Sequence, residues 1–181
     1  MAASIDLEYP FSGRWLAQNS PANRVPSHGA TLFATSYAID FVPVNDAGLT
    51  APITFGSLVR PEPPERFPGF GCALLAPIEG IIVAAHDTEP DHAAYRGLPS
   101  IRSALTWRSQ AGAGWVALAG NHVLIESVGD VFGRCGNSGN STEPHVHVQA
   151  IDNRDVERAN AVRLTFRAAL PRNGEVIDTS E

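Results

Sequence analysis

The chain has 181 residues, 44% of them apolar, and a formal net charge of −6. That length fits one domain able to bury a real core. The acidic balance, with no basic cluster, argues against nucleic acid as a partner, and no cationic run suits an anionic membrane surface. No apolar stretch reaches the roughly 18–20 residues that span a bilayer, so no transmembrane segment is expected. The start, MAASIDLEYPFSGRW, has neither a basic end nor an apolar core, so it is not read as a secretory signal. Two cysteines, Cys72 and Cys135, make no disulfide framework; they read as two buried reduced thiols, with a single bridge as the alternative.

Glycine (16) and proline (14) are frequent enough to favour many short strands joined by turns over long helices. Residues 1–30 are expected to be irregular, interrupted by Pro10, Gly13, Pro21, Pro26 and Gly29. Ser36–Val42 reads as the first strand, and residues 45–71 as a long proline-rich connection that is either functional or wraps the core. Cys72–His86 reads as strand, tight turn, strand, and Ser100–Trp107 has room for a helical turn or two. Gly114–Leu118 and His122–Glu126 look like two further strands. Residues 136–141 are a loop of small turn formers. His145–Ile151 alternates strictly, as a strand does, and Ala161–Arg167 is expected to be the last strand. The whole predicts a mainly β, largely antiparallel fold with little helix.

Six histidines are present: His28, His86, His92, His122, His145 and His147. In His145-Val146-His147 the two imidazoles lie on one face of a strand and can converge on one point. Convergent imidazoles suit a metal such as zinc; the same pattern also serves as two half-exposed strand histidines. The glycine-rich loop 136–144 running into the pair lets backbone approach a ligand closely, although a plain turn has the same composition. Asp40 sits in an apolar strand, where a carboxylate is costly to bury unless it is paired or metal-bound; the alternative is a strand-end Asp facing water. His28, in the turn Pro26-Ser27-His28-Gly29, is placed to fold back toward Asp40, or is a loop histidine without a role.

These segments resemble the lysostaphin-type (LytM-like) zinc metallopeptidases. Ser138-Gly139-Asn140-Ser141-Thr142-Glu143-Pro144-His145-Val146-His147 is similar to that family's Ser-Gly-Asn-Ser-Thr loop followed by Pro-His-Leu-His. Ser27-His28 with Tyr37-Ala38-Ile39-Asp40-Phe41 is similar to its first motif, a histidine upstream of an aspartate. Ala76–Val83 resembles the strand–turn–strand that follows, and Asn121–Ile125 the next strand. The resemblance covers about residues 27–150, within a single domain over 1–181 that has an irregular N-terminal segment and a short C-terminal strand extension. It implies an antiparallel β-sandwich or open barrel, with zinc held by His28, Asp40 and His147 and His145 as a catalytic histidine. It also implies hydrolysis of peptide bonds in bacterial peptidoglycan, in the cell envelope or outside the cell. Two histidines and a carboxylate leave a fourth position open, as hydrolytic zinc sites do. There, zinc lowers the pKa of water toward about 7.

The chain departs from that pattern twice. His28 and Asp40 are twelve residues apart, a longer spacing than is common in the family, because Gly29–Ser36 is inserted. The family's Tyr-x-His-Leu-like segment is missing: no histidine lies between His122 and His145. With it goes a second catalytic histidine, a loss of about 10²–10⁴ in rate. His122 matches a non-catalytic strand position, whereas His86 and His92 are free candidates that more often are surface residues. A catalytically impaired member of the same fold, acting as a metal-binding, peptidoglycan-binding or regulatory module, is therefore the alternative. A biotinyl- or lipoyl-carrier β-sandwich is disfavoured, because the chain has no lysine to carry a cofactor.

Overall fold

A computed structural model of the protein describes residues 4–96, 112–127 and 131–180. The described chain is mainly β, mostly antiparallel, with a few short helical turns and no closed barrel. The helical turn expected within Ser100–Trp107 lies outside the described residues. No helix among the described residues is long and apolar enough to cross a membrane.

The N-terminal segment is not irregular. It contains β1 (Ser4–Leu7) and β2 (Arg14–Gln18). In β2, Trp15 and Ala17 are buried while their neighbours are half-buried, the two-residue period of a strand. Five residues bounded by Gly13 and Asn19, both at positive φ, are too few for that alternation to stand out among the prolines.

β3 (Ile39–Pro43) starts later than the expected Ser36. Leu32–Tyr37 forms 3₁₀ turns instead, with Phe33 and Ala34 in the left-handed region at φ 54° and 59°. The Thr35 hydroxyl donates to the carbonyls of Ala30 and Leu32, a local bond that competes with strand pairing. The 45–71 connection carries a short helix, α1 (Phe55–Val59), closed by a Thr54–Ser57 capping box. It packs Phe67 and Ala51 against Ala94 as a small second core.

β4 (Ala73–Leu75) and β5 (Gly80–His86) lie in the expected strand–turn–strand. Gly114–Leu118 is not a strand; α2 (Trp115–Ala119) occupies it, bracketed by Gly114 and Gly120 at positive φ. An apolar run this short has no period that separates helix from strand. β6 (His122–Ser127) and β7 (Val131–Arg134) follow. The stretch expected as one strand over His145–Ile151 is divided into β8 (Val146–Val148) and β9 (Ala150–Ile151), which join different sheets. β10 (Ala161–Phe166) is not the last strand: β11 (Val176–Asp178) returns to the edge of the main sheet.

The main sheet has the order β11-β2-β3-β8 and is antiparallel throughout. A second sheet, β1-β10-β9, pairs β1 and β10 in parallel, and β4–β7 and β5–β6 form two ribbons. The core lies against the inner face of the main sheet, where Trp15, Ala17, Ile39, Phe41, Val146 and Val148 meet Leu7, Phe11, Leu164 and Phe166. Phe41 sits edge-on to Phe11 and Phe166 at centroid distances of 5.0 and 5.1 Å. Each such aromatic pair adds about 0.5–1.5 kcal/mol beyond area burial. Six of these ten residues lie before position 27 or after position 150.

Candidate metal centre

β3 and β8 run antiparallel with Ile39 opposite Val148, Asp40 opposite His147 and Phe41 opposite Val146. The flanking pairs point into the core, so the central pair points to the other face. This register sets His147 Nδ1 2.9 Å from Asp40 Oδ1, although the two are 107 positions apart in the chain. His28 arrives from the opposite side. The Gly29 amide donates to Pro26 O and the Ser27 amide to Ser36 O, which folds the turn back over the end of β3. His28 Nε2 then lies 3.1 Å from Asp40 Oδ2. The His28 and His147 rings meet edge to face, centroids 4.8 Å apart.

One ligand atom from each of His28, Asp40 and His147 falls within 4.8 Å of the others, so this group could hold a metal ion. Ligand bonds of about 2.0–2.1 Å at tetrahedral angles place donor atoms about 3.3 Å apart. The observed 2.9 and 3.1 Å, one to each Asp40 oxygen, need small outward shifts, and the widest spacing in the group, within 4.8 Å, must close inward. Imidazole nitrogen and carboxylate oxygen form a donor set typical of zinc. The residues present therefore fit the ion that the sequence resemblance implies.

Each candidate ligand is held from behind. Ser27 is fully buried, and its hydroxyl lies 3.0 Å from His28 Nδ1 and 3.2 Å from Thr35 O. A carbonyl only accepts, so with the hydroxyl hydrogen on Thr35 O, Ser27 accepts from His28 Nδ1–H and leaves Nε2 free for a metal. On His147, Nε2–H donates to Gln149 Oε1 at 3.0 Å, which assigns Nδ1 as its ligand atom. Asn19 Nδ2 donates to Asp40 Oδ2 at 2.7 Å and fixes the carboxylate plane.

The charges follow from this geometry. Burial pushes the Asp40 carboxyl up, but hydrogen bonds from His147 and His28 and the charge of nearby His145 outweigh it. Asp40 therefore stays ionised well below the ordinary carboxylate range. His147 is exposed at its outer edge; the desolvation of its inner side pushes the imidazole down, while the hydrogen bond and charge of Asp40 more than reverse the effect and raise it.

His145 stands next to this group without joining it. Its Nε2 is 4.0 Å from Asp40 Oδ1. Its Nδ1 faces the Glu143 carbonyl at 2.9 Å and the Ser141 hydroxyl at 3.0 Å. Because the carbonyl can only accept, Nδ1 carries a hydrogen, and in the neutral ring Nε2 then presents its lone pair toward the ligand cluster. Ser141 and Asn137 are both buried, and the Ser141 hydroxyl bonds Asn137 Oδ1 at 2.8 Å. Asn137 Nδ2 in turn donates to His92 O at 2.6 Å. The loop is also packed backbone to backbone: a Cβ on Gly120 would come within 2.5 Å of Gly139 N.

The other histidines are engaged elsewhere. His86 bonds Glu89 and stacks on His122, which also meets Trp115. His92 turns its ring to the carbonyls of Gly139 and Ala93. Among the described residues, the imidazoles reaching Asp40 are His28, His145 and His147. The residues with roles here that went unread in the sequence are Asn19, Asn137, Ser141 and Gln149. Gln149 had a signal, lying two residues beyond His147 on the same side of an extended chain; Asn19 had none, because β2 was not legible.

Comparison of the chain with protein-family models, with curated proteins and with solved structures gives no match.

Proposed function

We propose that this protein is a zinc metalloendopeptidase of the lysostaphin type, with the corresponding sandwich or open-barrel topology, that hydrolyses peptide bonds in bacterial peptidoglycan. The observation that carries this assignment is the joint placement of a two-histidine, one-carboxylate group and an adjacent histidine whose Nε2 faces it. His28 Nε2, Asp40 and His147 Nδ1 would hold the ion. Zinc bound there supplies Lewis acidity, making water a better nucleophile and polarising a carbonyl.

The chain's own residues do the rest. Ser27, Asn19 and Gln149 keep the three ligands in orientation. Glu143 O and Ser141 hold His145 with Nε2 toward the cluster, where it accepts a proton from the attacking water and returns it to the leaving amine.

A second assignment has its own support. None of His86, His92 and His122 contacts Asp40, so they do not replace the missing second histidine. That favours a metal-binding module of the same fold with little or no turnover. One experiment separates the two. Zinc-loaded protein is incubated with purified peptidoglycan and with a cell-wall peptide surrogate, beside His145→Ala and a chelated sample. Turnover that the chelator abolishes and that falls about 10²–10⁴-fold in His145→Ala supports the peptidase. One zinc per chain with no turnover above His145→Ala leaves the binding module. Failure to bind zinc removes both.

A further inference from the structure

The segment 29–37 lengthens the spacing between His28 and Asp40, and it does more than fill space. Gln149 Oε1 accepts from His147 Nε2, and its Nε2 donates to Phe33 O at 3.1 Å. Ser27, behind His28, reaches Thr35 O through its hydroxyl and Ser36 O through its amide. Both histidine ligands are therefore tied from behind to the backbone of one segment. At the point where Gln149 grips it, that segment holds two L-residues, Phe33 and Ala34, at φ 54° and 59°. Such residues stay left-handed only where surrounding contacts hold them.

We propose that Gln149 is a positioning residue that couples ion binding at His28, Asp40 and His147 to the ordering of the 29–37 segment. The proposal rests on the zinc site of the preceding section and not on catalysis. An ion on His147 Nδ1 would take that atom's lone pair and leave Nε2–H as the ring's one donor, so the ring can only donate to Gln149 Oε1. The amide is then fixed with its NH₂ group on Phe33 O, and the strained turn is held in place. Without the ion, Asp40 holds the same Nδ1 atom, and a neutral ring that keeps its hydrogen there has none on Nε2 to give Gln149. In the other direction, an ordered segment presets the His147 ring and raises the affinity for the ion.

Two substitutions divide the two bonds. Gln149→Ala removes both. Gln149→Glu keeps an acceptor for His147 Nε2–H but cannot donate to Phe33 O. The test combines zinc affinity, by competition with a chromogenic chelator, and amide hydrogen exchange of peptides spanning 29–37, with and without saturating zinc. In the wild type, zinc is expected to slow exchange over 29–37 about tenfold or more. Gln149→Ala is expected to weaken zinc binding by about 10–100-fold, the usual loss for an outer-shell partner, and to abolish the slowing even at saturation. Gln149→Glu is expected to bind zinc within a few-fold of the wild type, again without the slowing. The coupling is overturned if zinc leaves exchange over 29–37 unchanged in the wild type, or slows it equally in both variants. Either result, with zinc still bound, leaves the metal-site assignment standing. A wild type that binds no zinc overturns both.

Discussion

Zinc should stabilise the folded protein measurably, and the effect should vanish when any one of the three ligands is removed. The candidate ligands come from the 26–29 turn, β3 and β8, with His28 and Asp40 12 positions apart and Asp40 and His147 107 positions apart. An unfolded chain does not keep three groups so spaced within reach of one ion, so the binding free energy appears almost wholly as folding free energy. At free zinc of one hundred times Kd, the gain is about 2.7 kcal/mol. For a chain of 181 residues, with each kcal/mol moving Tm by about 2–4 °C, that gives a rise of about 5–11 °C. Differential scanning calorimetry on chelator-treated protein, before and after zinc is restored, reads this directly. Asp40→Asn, His28→Ala and His147→Ala should each lose most of the shift at the same zinc concentration. An undiminished shift in all three would refute the assignment of the ion to this cluster, and an undiminished shift in His28→Ala alone would remove that ligand.

The metal-free protein should be most stable in mildly acidic solution. Asp40 titrates below its ordinary 3.8 when folded, so its contribution is complete above that value and is lost as pH falls through the lowered one. His147 titrates above its ordinary 6.5, so its contribution is complete below 6.5 and is lost as pH rises through the raised value. Urea midpoints of chelated protein should therefore plateau between about pH 4 and 6.5 and decline on both sides, with the alkaline decline absent in Asp40→Asn. Phe41→Ala should cost about 3–5 kcal/mol by urea denaturation, because the ring is fully buried against Phe11 and Phe166. Gly120→Ala, at φ 64° with its new Cβ pressed on Gly139, should displace the loop before His145. The expected signature is a shifted His145 imidazole resonance with zinc affinity unchanged; an unmoved resonance would show that the loop has room to spare.

The candidate site was more legible than the fold around it. His-x-His on a strand and a carboxylate in an apolar strand are patterns of period two, and the pleat alone brings His145 and His147 to one side. The turn at His28 needed only local chain reversal. What stayed hidden depended on partners distant in sequence. β2 is five residues long, and it is a strand because β3 and β11 pair with its two edges. β11 is three residues long and half exposed, with too little sequence to carry a period. Trp115–Ala119 became helical between two glycines where an apolar run read equally well as extended chain. The break at Gln149 was invisible for a different reason. The alternation continues through it in sequence, while the chain passes from one sheet to another and frees that side chain to brace His147.

The pairing of Asp40 with His147 makes the site an all-or-nothing readout of strand alignment. Sliding β8 by a single residue against β3 would put Val146 or Val148 opposite Asp40 and turn His147 inward against Ile39 and Phe41. No intermediate alignment offers a weaker version of the same ligand set, so a bound ion certifies that the sheet has closed in its native register. During folding, the ion can reward only the correctly aligned sheet. Among sequence variants, a one-residue insertion or deletion between the 136–141 loop and His147 should silence the site as completely as loss of the histidine itself.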